Sequence, residues 1–281
     1  MTTAAPEAPA SATLPDPGHR PGFIHLLASE WTKIRSVRST VWTLLLFVVI
    51  TIGLSTLITW LIVNNWNGPH AAARNATIVS DPVSFVLGAG LGLGKLTLCV
   101  LGVLVISTEY STGVIRASLL AVPKRLPMLV AKAVVLTIVL LIAAEIVCFA
   151  SFFIGAALLH SHVQVSLGDN DVLRSVLGAG LALTLLGLFS MGIGLLIRHT
   201  AGAITTSIGI VFVLPILSGL LPGSWGAHID AYLPEQAAST IASAHPGAGA
   251  LLSAWEGFGV FGIWTALVLG VGAFLLLRRD A

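Results

Sequence analysis

The sequence predicts an all-α, polytopic membrane protein with six transmembrane helices, both termini cytoplasmic, and an N-terminal interfacial amphipathic helix. Composition is the first ground. Of the 281 residues 56% are hydrophobic and only 9% charged, with a mean hydropathy of +0.97. A soluble domain carries about 25% charged residues. The second ground is six apolar runs, at about 41–63, 83–107, 133–158, 173–197, 203–221 and 258–277. About 20 apolar residues cover the hydrocarbon core, and backbone amides in lipid must bond within their own segment, so these runs are read as helices. The third ground is the asymmetry of basic residues. With the N-terminus inside, eleven of the fourteen Lys and Arg fall on the cytoplasmic side, two (Arg74 and Arg174) fall outside, and Lys95 lies within a span. The positive-inside rule then sets the orientation.

Residues 1–22, rich in Pro, Ala and Thr, read as a disordered cytoplasmic tail with no apolar core of a signal peptide. The six-span membrane domain takes up 23–281. It opens on Phe23, Leu27, Trp31 and Ile34, which recur at helical spacing, followed by Lys33, Arg35 and Arg38. That pattern predicts a helix lying at the interface, with Trp31 at headgroup level and the cations near anionic lipid. Span one ends near Trp60 and Trp66, which read as interface anchors, as do Trp225, Trp255 and Trp264.

Span two carries Gly88, Gly90, Gly92 and Gly94, a small-residue stripe that allows close helix approach. It also carries Lys95, and span three carries Glu145. Both are costly in lipid. Each lies 12 residues from the inner end of its span, hence at about the same depth, roughly 18 Å at 1.5 Å per residue. They are expected to meet as an ion pair or hydrogen-bonded neutral pair; separate exposure to a water-filled cavity is the alternative. Gly94-Lys95-Leu96-Thr97 fails as a phosphate-binding loop, because Ala89 stands where the first glycine belongs and Leu96 where Ser or Thr belongs. The fifth run contains Pro215, which removes one backbone donor and calls for a kink or a neighbouring donor. Residues 222–257, broken by Gly, Ala and Pro, form an outer region of partly apolar character.

The polar island at 109–125 stands between spans two and three. It holds Glu109, Tyr110, Gly113, Arg116, Pro123, Lys124 and Arg125. Glu109 ends span two, Gly113 permits a tight turn, 114–120 can start a short helix and Pro123 stops it. Charge so placed serves a soluble partner better than it serves chemistry. Catalytic patterns such as HExxH and GxSxG are absent. Cys99 and Cys148 both fall within spans and imply neither a disulfide framework nor a metal site.

Ser29-Glu30-Trp31-Thr32-Lys33-Ile34-Arg35-Ser36-Val37-Arg38, the segment Glu109 to Arg116, Pro123-Lys124-Arg125 with Lys132, and the closing Leu277-Arg278-Arg279-Asp280 together resemble the permease subunit of an ATP-binding-cassette exporter of the type-2 class, as found in actinobacteria. The likeness covers about 22–281. It implies a connecting helix before span one, a coupling helix between spans two and three, and a re-entrant element in 222–257. It further implies a dimer of permease chains, homodimeric or heterodimeric, over soluble ATP-binding subunits. ATP and magnesium would be bound by that partner, and this chain would hold no cofactor, catalyse nothing itself and bind no nucleic acid. The expected location is the bacterial plasma membrane, among membrane lipid. A secondary transporter or channel acting without an ATPase is the alternative, and an intramembrane enzyme a distant third.

Overall fold

The computed structural model describes residues 22–69, 71–111, 125–245 and 250–278. The expected tail and most of the coupling segment, including Gly113, Arg116, Pro123 and Lys124, lie outside them. Every regular element among the described residues is helical. In order these are α1 (Phe23–Ser36), α2 (Arg38–Asn64), α3 (Ala71–Ser80), α4 (Pro82–Ser111), α5 (Arg125–Leu159) and α6 (Val172–Ile197). After them come α7 (Thr200–Ile208), a π turn (Gly209–Val213), α8 (Leu214–Ser218), α9 (Gly223–Ala231), α10 (Pro234–Ala242) and α11 (Ala254–Arg278). Six segments are long and apolar enough to cross a membrane, namely α2, α4, α5, α6, α7 through α8, and α11. This is the architecture of a multi-pass membrane protein. The end of the bundle at which α2 begins and α11 ends is called here the terminal end; the other is the far end.

Helix α2 is inside-out by the standard of a soluble helix. On α2 the buried face is Phe47, Thr51, Ser55 and Thr59, spaced four apart, while Val41, Trp42, Leu45, Leu46 and Val49 are exposed. With lipid around it α2 gains little by hiding leucine, and small and polar residues take most of its protein-facing side. Ser55 shows why, donating to the carbonyl of Val86 on α4 at 2.7 Å. The stripe on α4 divides in two. A Cβ at Gly90 would lie 2.1 Å from the Thr51 carbonyl oxygen, and one at Gly94 2.2 Å from the Thr51 hydroxyl, whereas Gly88 and Gly92 have nothing within 4 Å. Gly90 and Gly94 seat α2 on α4; the other two face open space.

Helix α6 is the centre of the bundle, with 78% of its span buried against 22% for α2 and for α11. It packs against α4, α5, α10 and α11. The fifth crossing shows what Pro215 does. Leu214 donates its amide to Gly209, five residues back, so the chain makes a π turn over Gly209–Val213 just before the proline. Pro215 has no N–H for the carbonyl of Val211, and the wider turn absorbs the break. Pro127 sits in the first turn of α5, where the missing donor costs nothing.

Candidate functional site

Two polar centres stand out, one at the last turn of α4 and one along its first half. At the terminal end α1 lies against α5 and α2. Its inward face carries Leu26 and Glu30, both buried, while Trp31 and Arg35 are exposed, as is Arg38 at the start of α2. Glu30 and Lys33 of α1, Glu109 from the last turn of α4 and Lys132 of α5 form a single cluster. Lys33 Nζ donates to Glu30 Oε1 at 2.6 Å and to Glu109 Oε1 at 3.2 Å. Lys132 Nζ donates to Glu109 Oε1 at 2.8 Å and also to Glu30 Oε2.

Two acids and two bases cancel, which is what allows Glu30 at 1% exposure and Lys132 at 2% to be buried at all. Burial by itself would depress the Lys33 ammonium, but the carboxylates of Glu30 and Glu109 outweigh it and raise its pKa above 10.5. Glu109 keeps one carboxylate oxygen, Oε2, buried without a hydrogen-bond partner among the described residues. Beside it a cavity of about 400 Å³ is walled by Ile34, Val37 and Val105 as well as by Lys33, Glu109 and Lys132. Next in the chain, the Tyr110 ring lies under the guanidinium of Arg198, 5.1 Å from carbon to centroid. Arg198 itself closes α6 in the left-handed region, at φ 57°.

The sequence picks out Lys33 and Glu109 separately, one as a headgroup cation and one as a partner contact. Their meeting, and the parts of Glu30 and Lys132, are not read there. A signal did exist. Glu30 is the single acid in a basic segment and Lys132 a single cation within an apolar run, and opposite isolated charges near one membrane face are natural partners. Arg125 opens α5.

Towards the far end a cavity of about 280 Å³ opens between α4, α6, α10 and α11. Its polar wall is Lys95, Glu235, Ser84 and Ser239; its apolar wall includes Leu87, Leu91, Leu183 and Phe261. The expected pair of Lys95 with Glu145 does not form. Lys95 donates instead to Glu235 Oε1, in the first turn of α10. The reason is packing. At that depth α6 is the neighbour of both helices, and Glu145 of α5 presses against Gly180 of α6, where a Cβ would meet its Oε1 at 2.4 Å. Glu145 Oε2 is buried with no hydrogen-bond partner.

Glu235 reaches Lys95 because α10 is tied down at its other end. Arg174 of α6 donates to the carbonyls of Ile241 at 3.2 Å and Ser243 at 2.9 Å. Ser175 donates to the carbonyl of Ala242, and Ser243 donates to Asp81 Oδ2 at 2.9 Å. The bonds from Arg174 and Ser175 satisfy carbonyls that the end of α10 leaves over. The first turn of α10, with Pro234 leading, also suits an acid such as Glu235, since helix N-termini attract negative charge.

No protein-family model matches the chain, and a search of curated proteins finds no match either.

Proposed function

We propose that this chain is the membrane-spanning permease subunit of an ATP-binding-cassette exporter in a bacterial plasma membrane. Its terminal end would face the cytoplasm, and hydrolysis would occur on a separate soluble ATPase. The observation that supports this reading best is the cluster of Glu30, Lys33, Glu109 and Lys132. It joins the helix before the first span to the two helices from which residues 112–124 emerge. A push on that segment by a partner would reach α4 and α5 directly and α1 through the ion pairs. The basic residues Arg116, Lys124 and Arg125 give an acidic ATPase surface something to hold. The exposed Trp31, Arg35 and Arg38 suit a helix half in the headgroup layer.

A second reading, a carrier or channel acting alone, draws on a different observation. Lys95, Glu235 and Glu145 put ionisable groups deep within one chain, as solute- or proton-coupled carriers do. Affinity purification of the tagged chain with a soluble P-loop ATPase encoded beside it separates the two. Retention of the ATPase, lost when Arg116, Lys124 and Arg125 are all changed to Ala, supports the exporter. Transport by the purified chain without any ATPase refutes it.

A further inference from the structure

The far-end cavity has features the exporter reading does not use. It is formed by four helices of a single chain. Its body is leucine and phenylalanine, its wall carries a complete ion pair, and serines line it elsewhere. At about 280 Å³ it is just under the roughly 300–1,000 Å³ of drug-sized sites. That volume matches one short chain better than a two-chain lipid.

The ion pair decides what head group fits. Lys95 and Glu235 cancel each other, and both are largely withdrawn from water, with side chains 23% and 16% exposed. An anionic head would draw Lys95 away and strand Glu235; a cationic head would do the reverse. Either leaves a charge without its counter-charge in an apolar wall. A head of no net charge avoids this. The ammonium of Lys95 has donors beyond the one given to Glu235. Glu235 Oε2 accepts nothing from the described residues. A hydroxyl or amide can therefore accept from Lys95 and donate to Glu235 while the pair stays closed.

We propose that the cavity between α4, α6, α10 and α11 binds a short single-chain amphiphile whose polar head carries no net charge. The head meets the Lys95–Glu235 pair, and the chain lies along Leu91, Leu183 and Phe261. This deepens the transport reading by naming the class of cargo, and rests on that reading only for the cargo role. Binding itself requires this chain alone.

The test uses the full chain in nanodiscs without an ATPase. The probe is decan-1-ol carrying a mid-chain diazirine, with photolabelled residues mapped by mass spectrometry. Labelling of α4, α6 and α11 at cavity residues should saturate and be displaced by plain decan-1-ol. Decanoate and decylammonium should displace it about tenfold less well, because each strands a charge. Gly88 lines the cavity and has nothing within 4 Å of an added Cβ, so Gly88→Leu should fill the space and abolish saturable labelling without a backbone clash. Glu235→Gln leaves Lys95 uncompensated and should reverse the ranking, making decanoate the better competitor. The proposal fails if decanoate competes as well as decan-1-ol in the native chain. It also fails if Glu235→Gln leaves the ranking unchanged, or if labelling is confined to outward faces such as that of α2. Loss of ATPase retention would end the exporter reading and leave this labelling as it is.

Discussion

Lys132 is the residue on which the terminal-end cluster turns, because it alone bonds both Glu30 and Glu109 while almost wholly buried. Without it two carboxylates face each other with only the part-exposed Lys33 between them. Lys132→Met should therefore destabilise the detergent-solubilised protein by about 3–5 kcal/mol, the range for breaking a buried ion pair. Removing one acid as well, in the double variant Glu30→Gln with Lys132→Met, should recover part of that loss. Thermal unfolding followed by tryptophan fluorescence reads both; equal melting of the single and double variants would contradict the assignment. Lys33 adds a pH dependence. Its pKa lies above 10.5 when folded, so its contribution is intact below 10.5 and is lost as pH rises through the folded value. A fluorophore on Thr32→Cys should keep its emission up to about pH 10.5 and change above it, as α1 loosens. Both native cysteines are buried and leave the label to residue 32.

At the scale of elements, the glycines of α4 make a contrast that separates packing from propensity. Gly90→Ala would drive a Cβ to 2.1 Å from a backbone oxygen of α2, whereas Gly88→Ala meets nothing within 4 Å. The first should cost about 1–3 kcal/mol, as overpacking does. The second should be neutral or stabilise by up to about 1 kcal/mol, the difference between Gly and Ala inside a helix. Melting temperatures of the two variants check this, and similar effects of both would contradict the division of the stripe. Hydropathy made the six spans legible, because length and apolar content alone decide whether a helix can cross lipid. It could not say which glycines meet a neighbour, since Gly88, Gly90, Gly92 and Gly94 differ only in azimuth around α4. Nor could it place Glu235. Depth along the spans made Lys95 and Glu145 look like partners, but a helix pair needs adjacency as well as equal depth, and α6 takes that place. The acid that does reach Lys95 comes from α10, which sequence hydropathy shows only as a broken outer stretch. Even Pro215 signals a disturbance without choosing between a kink and the π turn that absorbs it.

On the scale of the whole molecule, α4 carries one member of each polar centre. Lys95 and Glu109 lie 14 residues apart, about 21 Å along a helix rising 1.5 Å per residue. The terminal-end cluster fixes α4 to α1 and α5; the far-end pair fixes it to α10, which Arg174 in turn holds to α6. No side chain belongs to both centres, so in the chain alone they should behave as independent sites. The penalties of Lys132→Met and Glu235→Gln should then add to within about 0.5 kcal/mol, as they do for sites this far apart with no shared partner. Denaturation of the two single variants and the double variant measures the sum. A departure of about 1–3 kcal/mol, the size of an allosteric coupling, would mean that α4 already transmits between its ends without a partner. Additivity in the isolated chain is what the exporter reading requires of the resting permease. If the cavity and the cluster are to respond to one another, the link then has to be made by an ATPase pressing on residues 112–124, where α4 and α5 are joined. The same triple measurement with the ATPase bound should break the additivity, and its persistence there would count against energy transfer along this helix.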